Sequence, residues 1–354
     1  MTPDPTREPA PPEAGPARRG LWSSAAGRWL GLFIALGVLC VVTIASIMVG
    51  ARGITLDAVL SALVDPDGSR EALIIWEMRL PRTIVGLVVG PALGLAGALI
   101  QAFTRNPLAD PGVLGVNAGA GFCVTIAVGV LGISDARGYV WFALAGAFVV
   151  TVLVYLIGSV GTGAANPVQM TLAGVALSAV LGSVASGISL KNPQAFDSMR
   201  FWGAGSIAGR SLDVVWVIGP LILIGVVLAL LVAKPLNALA LGDDLGTSLG
   251  ASVVGTRVIT VIAVTVLAGG ATALAGPIGF VGLMVPHIVR WFIGPDQRWI
   301  LAYTLVLAPI LLLLSDIVAR VVLPGGELRV GLVTAAVGAP ILIVLARRKK
   351  LSGL

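Results

Sequence analysis

Charge is in short supply in this chain: Asp, Glu, Lys and Arg together make up 11% of 354 residues, against 57% hydrophobic. A water-facing domain carries roughly 25% charged residues to cover its surface, so a chain this poor in them turns its outer surface to lipid. Histidine occurs once and cysteine twice, which excludes His-rich metal clusters and a disulfide framework. Cys40 and Cys123 fall inside apolar runs, where a thiol behaves as a small hydrophobe, and they are expected to stay unpaired. No Gly-Lys pair exists anywhere, so the chain has no GxxxxGK[ST] loop to cradle a nucleotide. No HExxH occurs and no GxSxG nucleophile elbow is expected. Nor does any apolar run carry an acid or base at its middle, which disfavours a proton relay or ion-coupled carrier. These absences predict no catalytic residue, no metal site and no cofactor held by this chain.

What the chain does have is apolar length. Ten runs are long enough to cross a bilayer: 30 to 50, 83 to 103, 113 to 132, 139 to 160, 168 to 190, 213 to 233, 256 to 275, 278 to 293, 300 to 320 and 331 to 346. The class is therefore all-α and polytopic, with one membrane domain over 29–347. Residues 1–28, rich in Pro, Arg and Glu, cannot bury enough surface to offset ordering and read as a disordered tail. A short C-terminal tail covers 348–354. The first run is longer than a signal-peptide core and more runs follow, so it reads as a retained helix.

An even count puts both termini on one side. With that side taken as cytoplasmic, it holds 13 of the 23 Lys and Arg but only seven of the 17 acids, which satisfies the positive-inside rule. The formal charge of +6 is scattered singly through loops and gathered only at Arg347, Arg348, Lys349 and Lys350, a pattern suited to lipid headgroups rather than nucleic acid. The 46 glycines recur at four-residue spacing, as in Gly86, Gly90 and Gly94, and imply close helix packing. Gly269 to Pro286 is broken by Gly and Pro, so the seventh and eighth spans are expected to include irregular backbone. Either that backbone lines a translocation path or it forms a tight outer turn. Trp202, Trp216, Trp291 and Trp299 fall near predicted span ends and read as interfacial anchors.

A conduit with neither a nucleotide loop nor coupling carboxylates is passive or is driven from outside. Specific segments then become recognisable. RLPRTIVGLVVGPALGLAGALIQAFTRNPLADPGVLGVNAGAG over 79–121, LNALALGDDLGTSLG over 236–250, GPIGFVGLMVPHIVRWFIGPDQRW over 276–299, SDIVAR over 315–320 and ELRVGLVTAAVGAPILIVL over 327–345 resemble the signatures of the FecCD-type permeases. These are the membrane subunits of ABC importers for ferric siderophores, haem and cobalamin. The resemblance covers most of the chain after residue 75 and implies a ten-helix type II importer fold in a bacterial plasma membrane, with both termini cytoplasmic. It also implies the partners: a second permease subunit, identical or paralogous, two cytoplasmic ATPases that use ATP and Mg, and an extracytoplasmic substrate-binding protein.

By the same resemblance, Arg79, Arg82 and Arg320 dock onto acidic residues of the binding protein, with Asp316 orienting Arg320 or offsetting its charge. Asn106, Pro107 and Leu108 constrict the inner mouth, and Asn166, Pro167 and Val168 form the second constriction, where this chain lacks the family's small hydroxylated residues. The region 236–252 couples to the ATPase, with Leu241, Gly242, Asp243, Asp244, Leu249 and Gly250 at its centre. His287 is not assigned as a ligand. The cargo expected is a ferric siderophore, with haem or cobalamin as the alternatives inside the family and a stand-alone secondary carrier as the alternative outside it.

Overall fold

The computed structural model describes residues 24–50, 53–65, 68–133, 135–160, 166–323 and 326–347. The chain folds as α1 (Ala25–Met48), α2 (Leu56–Val64), α3 (Arg70–Ile74), α4 (Leu80–Thr104), α5 (Val116–Gly129), α6 (Ala136–Gly158) and α7 (Pro167–Lys191). It continues through α8 (Pro193–Gly203), α9 (Leu212–Leu239), α10 (Asp243–Ser248), α11 (Val253–Ala275), α12 (Val281–Ile293), α13 (Gln297–Val321) and α14 (Val330–Arg347). No strand occurs among the described residues. All ten expected spans appear, as α1, α4 to α7, α9 and α11 to α14. The expected N-terminal tail lies outside the described residues up to position 23, but its boundary moves: Ser24 caps α1 through its side chain, and Arg28 is already helical. The tail over 348–354 lies outside the described residues.

Seven of the spans are long and apolar enough to cross a bilayer unaided, whereas α5, α12 and α14 are shorter. A 14-residue α5 reaches only about 21 Å. Its shortfall is made up by a 3₁₀ turn at Pro111–Leu114, and that of α12 by the non-helical stretch 276–280; Leu114, Gly276 and Ile278 in these pieces are buried in protein. Irregular backbone at membrane depth is tolerated under that condition. The start of the stretch 276–280 packs against the 202–206 and 331 backbone, while Gly279 is exposed. Ser206 donates to the carbonyl of Ala275 at 2.7 Å, Gly331 donates to Gly205 at 3.2 Å, and a Cβ at Gly276 would press on the carbonyl of Trp202.

The core runs along α4 and α11, whose apolar windows are the most buried of the spans. α4 packs against α11, α12 and α13, α5 pairs with α6, and α1 lies at the periphery against α13. Close approach depends on glycine at the crossings: a Cβ on Gly97 would collide with the backbone of Gly282, and Gly119 and Gly146 exclude each other's Cβ in the same way. Lipid supplies no hydrophobic drive between helices, so such backbone contact and its dispersion energy hold the bundle.

Several short elements were not expected. α2, α3 and α8 are short helices between spans at one end of the bundle, and a π-helical turn at Ile75–Arg79 joins α3 to α4. Their lengths fall below any spanning criterion, and their sequences are too mixed to give an apolar run. Trp202 also departs from expectation: α8 folds it inward, 6% exposed, with its ring against Gly121, so it is a core residue and not a headgroup anchor. Trp216 is exposed as expected, and Trp299 packs edge-on against Trp29. His287 is buried and in edge contact with Trp291, consistent with a packing role.

Gly97→Leu is expected to cost about 3 kcal/mol or more through overpacking, whereas Gly182→Ala, with nothing near its Cβ, is expected to be neutral. Thermal unfolding in detergent with yield of monodisperse protein checks this; equal melting temperatures for the two variants would contradict the packing account.

Candidate functional site

Polar chemistry is concentrated at the two ends of the bundle. At one end Thr104 finishes α4, and Arg105 follows in the left-handed region at φ 51, which stops the helix one residue before Asn106-Pro107. Asn106 holds the turn by accepting from Leu108 N–H at 3.0 Å through its side chain and from Ala109 N–H at 3.1 Å through its carbonyl. Asp110 then caps the 3₁₀ turn, its carboxylate accepting from Gly112 N–H at 2.8 Å. Burial pushes the Asp110 carboxyl above its ordinary value, and the Gly112 hydrogen bond only partly offsets this. The second Asn-Pro pair behaves alike: Asn166 caps α7 through Val168 N–H at 3.0 Å, Pro167 takes the first helical position, and Val168 is exposed. The 3₁₀ turn packs on α7, so both expected constrictions lie at this end.

α10 lies at the same end. Its first residue, Asp243, uses both carboxylate oxygens: Oδ1 accepts from Arg105 at 2.7 Å and Oδ2 accepts from Arg257 of α11 at 2.7 Å. The Arg105 guanidinium also donates to the carbonyl of Leu239, the last residue of α9, at 2.6 Å. Asp243 therefore ties α10 to the Asn106 turn, to α9 and to α11. Each pair is partly exposed and worth about 0.2–1 kcal/mol alone, and the shared carboxylate links the three segments. Asp244 makes no such link; its carbonyl accepts from Ser248 Oγ at 3.0 Å. Leu241 and Leu249 project outward, 62% and 66% exposed, while Gly242 and Gly250 take positive φ on either side of α10. Residues 246 to 250 do spell GxSxG, but Ser248 sits in helix and bonds back into its own turn, so the strand-turn-helix of a nucleophile elbow is absent.

Just inside this end, Arg290 donates to Gln101 Oε1 at 2.6 Å, and the Gln101 amide donates to the carbonyls of Gly282 and Leu283. This brace joins α4 to α12, and neither residue was expected as part of a site.

At the opposite end the three arginines come together, but not as free docking groups. Arg79, Arg82 and Arg320 are only 6%, 8% and 4% exposed. Arg79 donates to the carbonyls of Ile47 and Met48 at 2.6 Å each. Arg320 donates to the carbonyls of Ser46 and Val49 at 2.8 Å each and to Ser46 Oγ at 3.1 Å. These are carbonyls a helix C-terminus leaves unpaired, so two guanidiniums cap α1 from α13 and from the turn before α4. Asp316, fully buried, accepts from Arg82 Nε and Nη2 at 2.8–2.9 Å and contacts Arg320 at 3.2 Å, so it orients both rather than only the arginine one turn away. Glu327, which was not expected to take part, accepts from the remaining arm of Arg82 at 2.7 Å.

Between the ends, α7 is the least buried of the long helices, 11% against 78% for α4 and α11. Leu172, Ala176, Ala179, Ser183 and Ser186 form an outward stripe on it, and both serines donate to the carbonyls four residues back.

The FecCD transport family model matches residues 38–348. The ferric enterobactin transport system permease protein FepD of Escherichia coli (strain K12) is 49% identical, over 89% of this chain and 94% of its own length. The probable siderophore transport system permease protein YfiZ of Bacillus subtilis (strain 168) is 37% identical over 92% and 97%, and the hemin transport system permease protein HmuU of Yersinia pestis is 34% identical over 79% and 85%. Among solved structures, a metal-chelate type ABC transporter in an inward-facing conformation superposes with a TM-score of 0.80 at 26% identity, covering 90% of this chain and 98% of that one.

Removing the Asp316 carboxylate leaves two buried guanidiniums short of an acceptor, so Asp316→Ala is expected to destabilise the protein by about 3–5 kcal/mol. Thermal unfolding checks this; an unchanged melting temperature would mean the cluster is not a structural clasp.

Proposed function

The chain belongs to the FecCD transport family, and from that membership we propose that it works as one of two permease subunits set between a delivery protein on one face and a pair of ATPases on the other. It is a membrane permease of the ABC-importer type, and its cargo is a ferric siderophore complex. The alignment with the ferric enterobactin permease along nearly the whole length of both chains carries that reading, and the lower identity to the hemin permease ranks haem second.

The α10 end faces the cytoplasm, a placement that the excess of basic residues on that side of the sequence supports. Here α10 rests in a cleft of the ATPase. Leu241 and Leu249 supply apolar contact, and Asp244 supplies a free carboxylate. Asp243 faces the other way. When nucleotide binding draws the ATPases together and shifts α10, the carboxylate shared by Arg105 and Arg257 carries that shift to the Asn106-Pro107-Leu108 turn and to α11. The turn, with the Asn166-Pro167-Val168 cap of α7, closes or opens the inner mouth.

The α7 stripe lines the cavity between the two subunits. Its serines are satisfied within their own helix, so the surface offers small side chains and no strong donor to hold a chelate. Affinity then resides in the delivery protein, and cargo leaves the cavity once the inner turn opens. The opposite end, with its arginine cluster, receives the delivery protein's carboxylates, because guanidinium forks pair bidentately with them and steer encounter.

Co-reconstitution in liposomes with the partner ATPase and binding protein tests this. Uptake of a radiolabelled ferric catecholate is expected only with ATP inside reach of the ATPase. Asp243→Lys is expected to cut uptake by about tenfold or more while ATP hydrolysis continues, the range of an ordinary coupling energy. Uptake by the permease alone, without ATP, would overturn the importer reading; full uptake by the Asp243 variant would overturn the transmission route.

A further inference from the structure

The three arginines at the docking end are not equivalent, and their difference lies in what occupies them. Arg79 donates to the carbonyls of Ile47 and Met48, and Arg320 engages Ser46, Val49 and Asp316. Arg82 is held from within by Asp316, whose side chain is 1% exposed, and from without by Glu327, whose side chain is 44% exposed. Glu327 lies in the connection between α13 and α14, anchored nearby by Leu328 N–H donating to Ala319 O at 2.9 Å. Its carboxylate also acts electrostatically on Arg79 and Arg320, so it faces the whole cluster and not only its bonded partner.

Three guanidiniums thus share two carboxylates, one locked in the protein and one at the water boundary. We propose that Glu327 is a resident stand-in for the delivery protein's docking carboxylate: it occupies the outward arm of Arg82 while the permease is undocked and yields that arm when the partner's acid arrives. The proposal rests on the docking role assigned to this end above and adds a regulation of that site.

The physical balance favours such an exchange. A cluster of three cations at a membrane surface is costly to leave with a single counter-charge, and Glu327 supplies the second without committing the site. On docking, one charge-assisted hydrogen bond replaces another of the same kind, and the displaced carboxylate returns to water, where its desolvation is recovered. The net cost of opening the site is therefore small, and the arginines stay oriented by Asp316 and the α1 carbonyls throughout. A partly exposed pair of this sort contributes about 1 kcal/mol, enough to set affinity without blocking it.

Binding of the delivery protein to permease in nanodiscs, read by surface plasmon resonance at low salt, tests the proposal with Glu327→Gln and Glu327→Ser. Both remove the competitor's charge and keep Asp316, so each is expected to tighten docking by about fivefold, with a faster association rate. A second neutral variant guards against a local rearrangement peculiar to one of them, and thermal unfolding of each is expected to fall only slightly, as the loss of one partly exposed pair implies. Arg82→Glu serves as the reference and is expected to abolish docking. If Arg82→Glu abolishes docking but the Glu327 variants bind equally or more weakly, Glu327 is an orienting residue and the stand-in role is overturned. If Arg82→Glu binds as the wild type does, the docking role of this end fails, and the inference fails with it.

Discussion

Hydrocarbon offers no acceptor to a stray donor and no water to a stray charge, and that constraint arranges everything else in this molecule. It drives the backbone into helices, expels most charge to the bundle's ends, and favours polar groups inside that find a partner within the chain. The pairing of Arg290 with Gln101, and of Gln101 with two carbonyls of α12, is one such match. The serines of α7 bonded to their own helix are another. The serines of α7 thereby leave its outward stripe with small side chains and no strong free donor.

The two charged ends solve different problems with the same chemistry. At the α10 end, Asp243 spans two arginines from distant parts of the chain, which gives a short surface helix a rigid connection to the turn after α4. At the other end, Asp316 spans Arg82 and Arg320, and the arginines in turn close the open carbonyls of α1. Each end therefore has a carboxylate that bridges two arginines and a more exposed acid beside it, Asp244 or Glu327. Force applied at either end enters through side chains already braced against the core helices α4, α11 and α13.

The spans were legible because apolar length is a local property, and all ten appear where it is found. α2, α3 and α8 were not, because short helices at the membrane boundary have neither the length nor a clean apolar face; Trp202 was misplaced for the same reason, since only the return of α8 onto α5 buries it. The arginines of RLPR and DIVAR were visible as motifs, and Asp316 as a partner of Arg320, yet its bond to Arg82 and the other partners were not. The α1 carbonyls are backbone and carry no sequence signal, and Glu327 lies 245 residues from Arg82. Asp243 was recognised as part of the coupling stretch, but its links to Arg105 and Arg257 arise from tertiary folding across 138 and 14 residues. One signal was available: an isolated acid and an isolated base on the same predicted side of a bundle so poor in charge have few other partners to find.

The most direct test of the central claim, that motion enters through the Asp243 link and travels to the inner turn as one body, is a distance measured between the two segments. Spin labels at Ser248 and Leu108, read by pulsed electron resonance in the assembled complex, should keep one separation with and without bound nucleotide, while each moves relative to a label on α6. A Ser248-to-Leu108 distance that changes with nucleotide would show that α10 and the turn move independently, and would contradict the account.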